Sequence, residues 1–178
     1  MQLTLVRHGE AAPPIMGNDT KRPLTERGHA QAEQTADFLK SRIQPDVFVV
    51  SPLLRAQETL AHIKEHFVDV PVVICNTIKP DDDAKAAVEW LSHLPYESIV
   101  VVCHMNVVAH MASILVTESF NPYALAEARI YEQAVIAEGL STQTKAFIPS
   151  IYKPIKTSEY NTCCKFGCPK PMEHGTGL

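Results

Sequence analysis

Twenty consecutive residues, Ser98 to Thr117, contain no Asp, Glu, Lys or Arg. That is about the length of a membrane span. The stretch is not uniform, however. It opens on β-branched Ile99-Val100-Val101-Val102, breaks at His104 and Asn106, and continues as a helical pattern that contains His110. A buried strand followed by a helix accounts for it better than a span, and no membrane segment is expected. A strand so apolar needs cover on both faces, which demands a sheet with helices on each side.

The rest of the chain supplies those elements. Gln2 to Val6 is a short apolar strand candidate. Thr25 is placed to cap a helix from Glu26 to about Arg42, with Ala32, Ala36, Leu39 and Ile43 on one face. Val47 to Val50 predicts a second strand, and Ser51-Pro52 a helix start that runs to about Phe67, with Leu53, Ala56, Leu60, Ile63 and Phe67 inward. Val72 to Cys75 is a third strand, and Asp81 to Asp83 put negative charge at the start of the next helix. Ile99 to Cys103 is the fourth strand, with a helix from about Asn106 to Val116 behind it. Gln133 to Ala137 and Lys145 to Ile148 read as a closing strand pair. This alternation predicts an α/β fold, a three-layer α/β/α sandwich around a largely parallel central sheet. At 178 residues the chain is one domain, residues 1–153, with a tail at 154–178 where Pro, Gly, Cys and Lys replace periodic pattern.

The glycines narrow the chemistry. They stand at 9, 17, 28, 139, 167, 175 and 177, so neither G-x-G-x-x-G nor G-x-x-x-x-G-K-[ST] occurs. A phosphate held here must be held by side chains. The net charge of -4 argues against a nucleic-acid partner, which calls for clustered Lys and Arg. The opening residues lack the basic and apolar regions of a secretory signal, and Cys75 and Cys103 lie in apolar runs; a cytoplasmic protein with a disulfide-free core is expected.

In such sheets, sites lie beyond the carboxyl ends of the strands. Three predicted ends carry unusual polar residues: Arg7-His8-Gly9 in LTLVRHGE, Arg55 in SPLLRAQET, and His104 in VVVCHMN. These residues resemble the histidine phosphatase superfamily, whose members begin with a strand ending in Arg-His-Gly. VVSPLLRAQET matches that family's SP..RA..T segment, and VVVCHMNVV its second catalytic histidine region. The four matches occur in the family's order and cover roughly Met1 to Tyr152. The short length and Arg22-Pro23-Leu24-Thr25 look most like the SixA-type phosphohistidine phosphatases. The resemblance implies a phosphoglycerate-mutase-like fold.

It also implies roles. His8 is the nucleophile that becomes a transient phosphohistidine, and His104 donates to a phosphate oxygen. Arg7 and Arg55 are charged forks for the phosphate, which is what phosphoryl transfer requires of side chains. Gly9 leaves room beside His8, while Asp19 and Arg22 shape the substrate-binding rim. No metal or other cofactor is implied. Many members carry an acidic residue after the third strand, where this chain reads CNTIKPDDD. Thr77 stands about where that acid belongs and cannot serve; Asp81, Asp82 and Asp83 are read as helix-capping first. A missing acid fits a phosphoramidate, whose leaving group needs less proton help than an alkoxide. The short Cys75–Ser98 segment leaves no room for a helical lid, which suits a phosphate on a protein surface.

Other signals are set aside. His62-Ile63-Lys64-Glu65-His66 matches the H-x-x-E-H zinc pattern, but the helical spacing turns both histidines away from the apolar stripe, and no distal ligand is evident. Cys103 lacks the arginine of a cysteine phosphatase loop, since residue 109 is Ala109. His29, His93 and His110 read as surface or packing residues, and Trp90 as packing. Cys163, Cys164, Cys168 and His174 in the tail lack paired C-x-x-C zinc spacing. The expectation is a phosphohistidine phosphatase acting on phosphorylated proteins of the histidine-phosphotransfer type. The alternatives are a small-molecule phosphatase for a phosphorylated metabolite and a phosphate-binding module without turnover.

Overall fold

The computed structural model describes residues 1–14 and 16–150. The tail expected at 154–178, with its cysteines, lies outside the described residues. The element order is β1 (Gln2–Arg7), α1 (Glu26–Leu39), β2 (Val47–Val50), α2 (Leu54–Lys64), β3 (Val72–Ile74), α3 (Ala84–Ser92), β4 (Ser98–Cys103), α4 (Val107–Val116), β5 (Ala128–Glu132) and β6 (Thr142–Phe147). The six strands form one sheet in the order β3-β2-β4-β1-β5-β6. β1 and β4 pair in parallel with Leu5 opposite Val101, and β2 joins β4 and β3 in parallel. β5 is antiparallel to both β1 and β6, so the sheet is mixed and only β5 runs against the rest.

Strand alternation splits the core in two. Leu3, Leu5, Val49, Ile99 and Val101 point to the α3/α4 side, where they meet Leu91, Val108, Met111 and Leu115. Val6, Phe48, Val50, Val100 and Val102 point to the α1/α2 side, against Ala36, Leu39, Ile43, Leu60 and Ile63. The three-layer sandwich follows from this period of two within each strand. The whole apolar stretch Ile99 to Cys103 is fully buried, and no described helix is long and apolar enough to cross a membrane.

Thr25 caps α1, its side chain accepting from Gly28 N–H. Asp83 caps α3 in the same way, from Lys85 and Ala86 N–H. Two expectations need correction. α2 starts at Leu54, not at Ser51-Pro52, and Leu53 in the cap position makes no side-chain bond. The Ser51 hydroxyl is engaged by His104 instead, at 2.6 Å. The closing strand pair is Ala128–Glu132 with Thr142–Phe147, so Gln133 to Ala137 is the connection between strands. Arg129 hides β5 from the sequence pattern. It is buried in the strand, bonded through Nε to Glu127 Oε1 and lying 3.9 Å from the Tyr123 ring centroid.

Candidate functional site

Parallel pairing sets the ends of β1, β2 and β4 side by side. Arg7 is registered opposite Cys103, and His8 N–H continues the ladder by donating to Cys103 O at 3.0 Å. Ser51 N–H likewise donates to Val102 O at 3.1 Å. His104 therefore emerges beside His8, with ring centroids 5.1 Å apart. α2 brings Arg55 in from the side, its Nε donating to His8 Nε2 at 3.3 Å. These four side chains line one cleft of about 500 Å³, together with Glu10, Ala11, Asp19, Arg22, Pro80, Asp81, Met105 and Leu125.

The hydrogen bonds assign the ring protons. His8 Nδ1 lies 2.6 Å from Gly9 O, an acceptor only, so Nδ1 carries the proton and Nε2 holds the lone pair. Burial first, then the Arg55, Arg7 and Arg22 charges, depress the His8 pKa to about 4, against the opposing bond to Gly9 O. His8 is a neutral imidazole at neutral pH. Burial, and secondly the His8 ring and Arg55, push His104 lower still. Ser51 Oγ accepts from Leu53 N–H at 3.4 Å and shares a hydrogen bond with His104 Nε2 at 2.6 Å, so the other ring nitrogen of His104 is Nδ1. That Nδ1 is buried without a partner, and so is Arg7 Nε. Arg7 is otherwise fixed through Nη1 to Tyr123 O at 2.6 Å.

Asp19 and Arg22 form the rim. Asp19 Oδ2 lies 3.1 Å from Arg55 Nη2 and Oδ1 lies 3.0 Å from Arg22 Nη1. Arg22 Nε donates to Ala12 O at 2.6 Å, which pins this arginine to its own loop. Gly9 does not line the cleft. A Cβ there would stand 2.6 Å from Gly28 O, so the missing side chain makes room for the start of α1, not for a ligand. Gly28 is the reciprocal case, its Cβ position lying 2.0 Å from Glu10 O. Gly9 N–H is held by Thr59 Oγ1 at 3.1 Å.

The three aspartates separate. Asp83 caps α3, Asp82 accepts from Lys79 N–H at 2.7 Å, and exposed Asp81 lines the cleft. Thr77 is turned to Cys75, with Oγ1 3.3 Å from Sγ. Cys75 and Cys103 are free and buried, and burial pushes the Cys103 thiol up to about 12, which leaves it inert. His110 packs tilted against Phe120, ring centroids 4.7 Å apart, and does not line the cleft. His62 meets His29, Nε2 to Nδ1 at 2.9 Å. No group of three metal-binding side chains occurs among the described residues. Sequence reasoning missed Ser51, Glu10 and Thr59. Ser51 had a visible signal, its place at a strand end, but reads equally as a cap.

A model of the histidine phosphatase superfamily (branch 1) matches residues 3–79. A phosphohistidine phosphatase SixA homolog of Haemophilus influenzae is 30% identical over 144 residues, 71% of this chain and 87% of that protein. The chain belongs to the histidine phosphatase superfamily. Solved structures of the same fold include the protein histidine phosphatase SixA complexed with tungstate, at a TM-score of 0.74 and 24% identity, covering 84% of this chain and 97% of that one. An alpha-ribazole phosphatase from Shigella flexneri superposes at 0.67 with 18% identity, covering 88% of this chain and all of its own. The phosphoglycerate-mutase-like architecture is thus shared with phosphatases named for different substrates.

Proposed function

We propose that this chain is a phosphohistidine phosphatase acting on a phosphorylated protein, with His8 as nucleophile. The observation that carries the reading is the pair of buried, unpartnered nitrogens, Arg7 Nε and His104 Nδ1, of side chains that line the cleft with the lone pair of His8. Buried donors without partners are costly, about 1–3 kcal/mol each, and a phosphate oxygen would satisfy both. The SixA structure of the same fold is a complex with tungstate, itself a tetrahedral oxyanion, which supports an oxyanion as ligand.

In the reaction, His8 Nε2 attacks phosphorus as the bond to the substrate nitrogen breaks, and that nitrogen leaves with its electron pair. The His8 phosphoenzyme is then attacked by water, which releases phosphate and returns the electron pair to Nε2. Arg7, Arg55 and the His104 Nδ1–H hold the equatorial oxygens. The phosphate dianion opposes the arginine charges that act on both imidazoles. Gly9 O orients His8 throughout.

A second reading has an observation of its own. Asp81 is a carboxylate on the cleft whose neighbours Asp82 and Asp83 are taken by backbone amides. It could protonate an alkoxide, as hydrolysis of a phosphorylated metabolite requires. The test is turnover of phosphohistidine protein, phosphoserine, phosphotyrosine and a metabolite panel by the wild type, His8→Ala and Asp81→Asn. Fastest turnover of phosphohistidine, abolished in His8→Ala and kept within about threefold in Asp81→Asn, supports the first reading. Faster turnover of an ester, lost in Asp81→Asn, establishes the second.

A further inference from the structure

Arg55 and Arg7 are the two forks of the cleft floor, but the chain engages them to different degrees. Arg7 Nε has no partner, whereas every nitrogen of Arg55 is engaged. Nε donates to His8 Nε2, Nη1 to Asp19 O at 2.9 Å, and Nη2 to Asp19 Oδ2 at 3.1 Å. A guanidinium grips an oxyanion along an edge, either through Nε and its neighbouring Nη or through the two Nη groups. Both edges of Arg55 are thus occupied by acceptors of the chain itself. The Arg55 side chain is only 4% exposed, and Asp19 is its one ion-pair partner among the described residues. A buried cation without counter-charge is costly.

We propose that Asp19 is a resident competitor for the phosphate site: its carboxylate supplies the counter-charge of Arg55 when the cleft is empty and is displaced when phosphate enters. Two observations favour displacement over permanent positioning. The Asp19 carboxylate lines the same cleft, and its side chain is half exposed, so release returns it to water at little cost. The bond from Arg55 Nη1 to the Asp19 carbonyl does not depend on the carboxylate, so the guanidinium keeps an anchor when the side chain leaves. Arg22, on the other Asp19 oxygen, is held independently by Ala12 O. The consequence is weaker product binding and faster phosphate release after each turnover. The resemblance that makes Asp19 part of the substrate rim is thereby given an opposite sign: removing its charge tightens the site.

This inference rests on the cleft being a phosphate site, and the experiment separates the two. Inorganic phosphate is titrated calorimetrically into the full-length wild type, Asp19→Asn, Asp19→Ala and Asp19→Glu at fixed pH and salt, with urea midpoints recorded for each. The expected result is phosphate binding about five- to tenfold tighter in Asp19→Asn than in wild type, a fall in its inhibition constant to match, and partial return to wild-type affinity in Asp19→Glu. Asp19→Asn alone decides the matter should Asp19→Ala not fold. Unchanged or weaker binding in a folded Asp19→Asn overturns the competitor and makes the carboxylate a positioning or idle group. Absence of phosphate binding in wild type and variants alike overturns the phosphate site itself, and the competitor with it.

Discussion

The cleft has a floor and a rim, and they are built differently. The floor residues Arg7, His8, Arg55 and His104 sit at strand ends or on the first turn of a packed helix. Arg55 and His104 are buried, and each floor side chain has a fixed anchor: Tyr123 O, Gly9 O, Asp19 O and Ser51 Oγ respectively. The rim residues Asp19, Arg22 and Asp81 sit on loops between elements, and Asp19 and Asp81 are exposed. Charges on the floor act through a medium poorer in water, so each is worth more than the same charge on the rim. The difference teaches where to look for chemistry and where for affinity. Floor substitutions are expected to fall on the chemical step and rim substitutions on substrate and product affinity.

The floor is broken most completely by His8→Ala. Turnover is expected to drop by about 10⁴-fold or more, with no phosphoenzyme trapped, since the lone pair on His8 Nε2 is removed. A steady-state rate within 10²-fold of wild type would move the nucleophile elsewhere. Arg55→Ala comes next, with kcat lowered about 10²–10³-fold as a transition-state donor is lost. Rapid-quench measurement of phosphoenzyme formation places that loss on the chemical step.

The same contrast explains what could be read from the sequence. Floor residues follow strand ends, and strand ends are legible because the runs before them are apolar and β-branched. The sequence therefore places Arg7, His8 and His104 at strand ends, and Arg55 by its spacing after β2. The anchors were not legible. Ser51 has the chemistry of a helix cap, and only the parallel register of β2 with β4 reveals that it faces His104. In the sequence Gly9 reads as room beside His8, while the close approach it permits is to Gly28 on α1, a contact no local pattern encodes. β5 failed for a different reason. A buried Arg129 is tolerable only because Glu127 and Tyr123 meet it in three dimensions, and hydrophobic periodicity cannot anticipate that compensation.

Acid sharpens the comparison, because the floor holds the depressed imidazoles. The His8 pKa of about 4 lies below its ordinary 6.5, so the proposed nucleophile stays neutral above pH 5 and is lost as pH falls through 4. Its NMR titration midpoint is expected near 4 in the free protein and higher with phosphate bound. The stability sign follows from the same depression. Above about pH 6.5 folding carries no penalty from His8; below it the unfolded chain binds the proton more readily, and stability declines toward pH 4. A flat urea midpoint from pH 7 to pH 4.5 would show that the floor is wetter than its burial implies. Ser51→Ala isolates one anchor at smaller scale. It frees the His104 tautomer and leaves Nε2 buried without a partner, and a fall of about tenfold in kcat at nearly constant KM is expected.

The smallest effect belongs to the rim. Arg22→Lys keeps the charge and removes the fork that spans Ala12 O and Asp19 Oδ1. An ammonium can hold one of these acceptors but not both, so the 11–22 loop loosens while the floor is untouched. Because Asp19 keeps Arg55 as a partner, the rim does not collapse. The expected outcome is a KM raised about two- to threefold with kcat within a factor of two, as fits a partly exposed ion pair. Arg55→Lys provides the internal reference, because the same chemical change on the floor removes a buried grip and is expected to lower kcat by tenfold or more. Equal losses in kcat from the two lysine variants would place Arg22 on the reacting phosphate and erase the boundary between floor and rim.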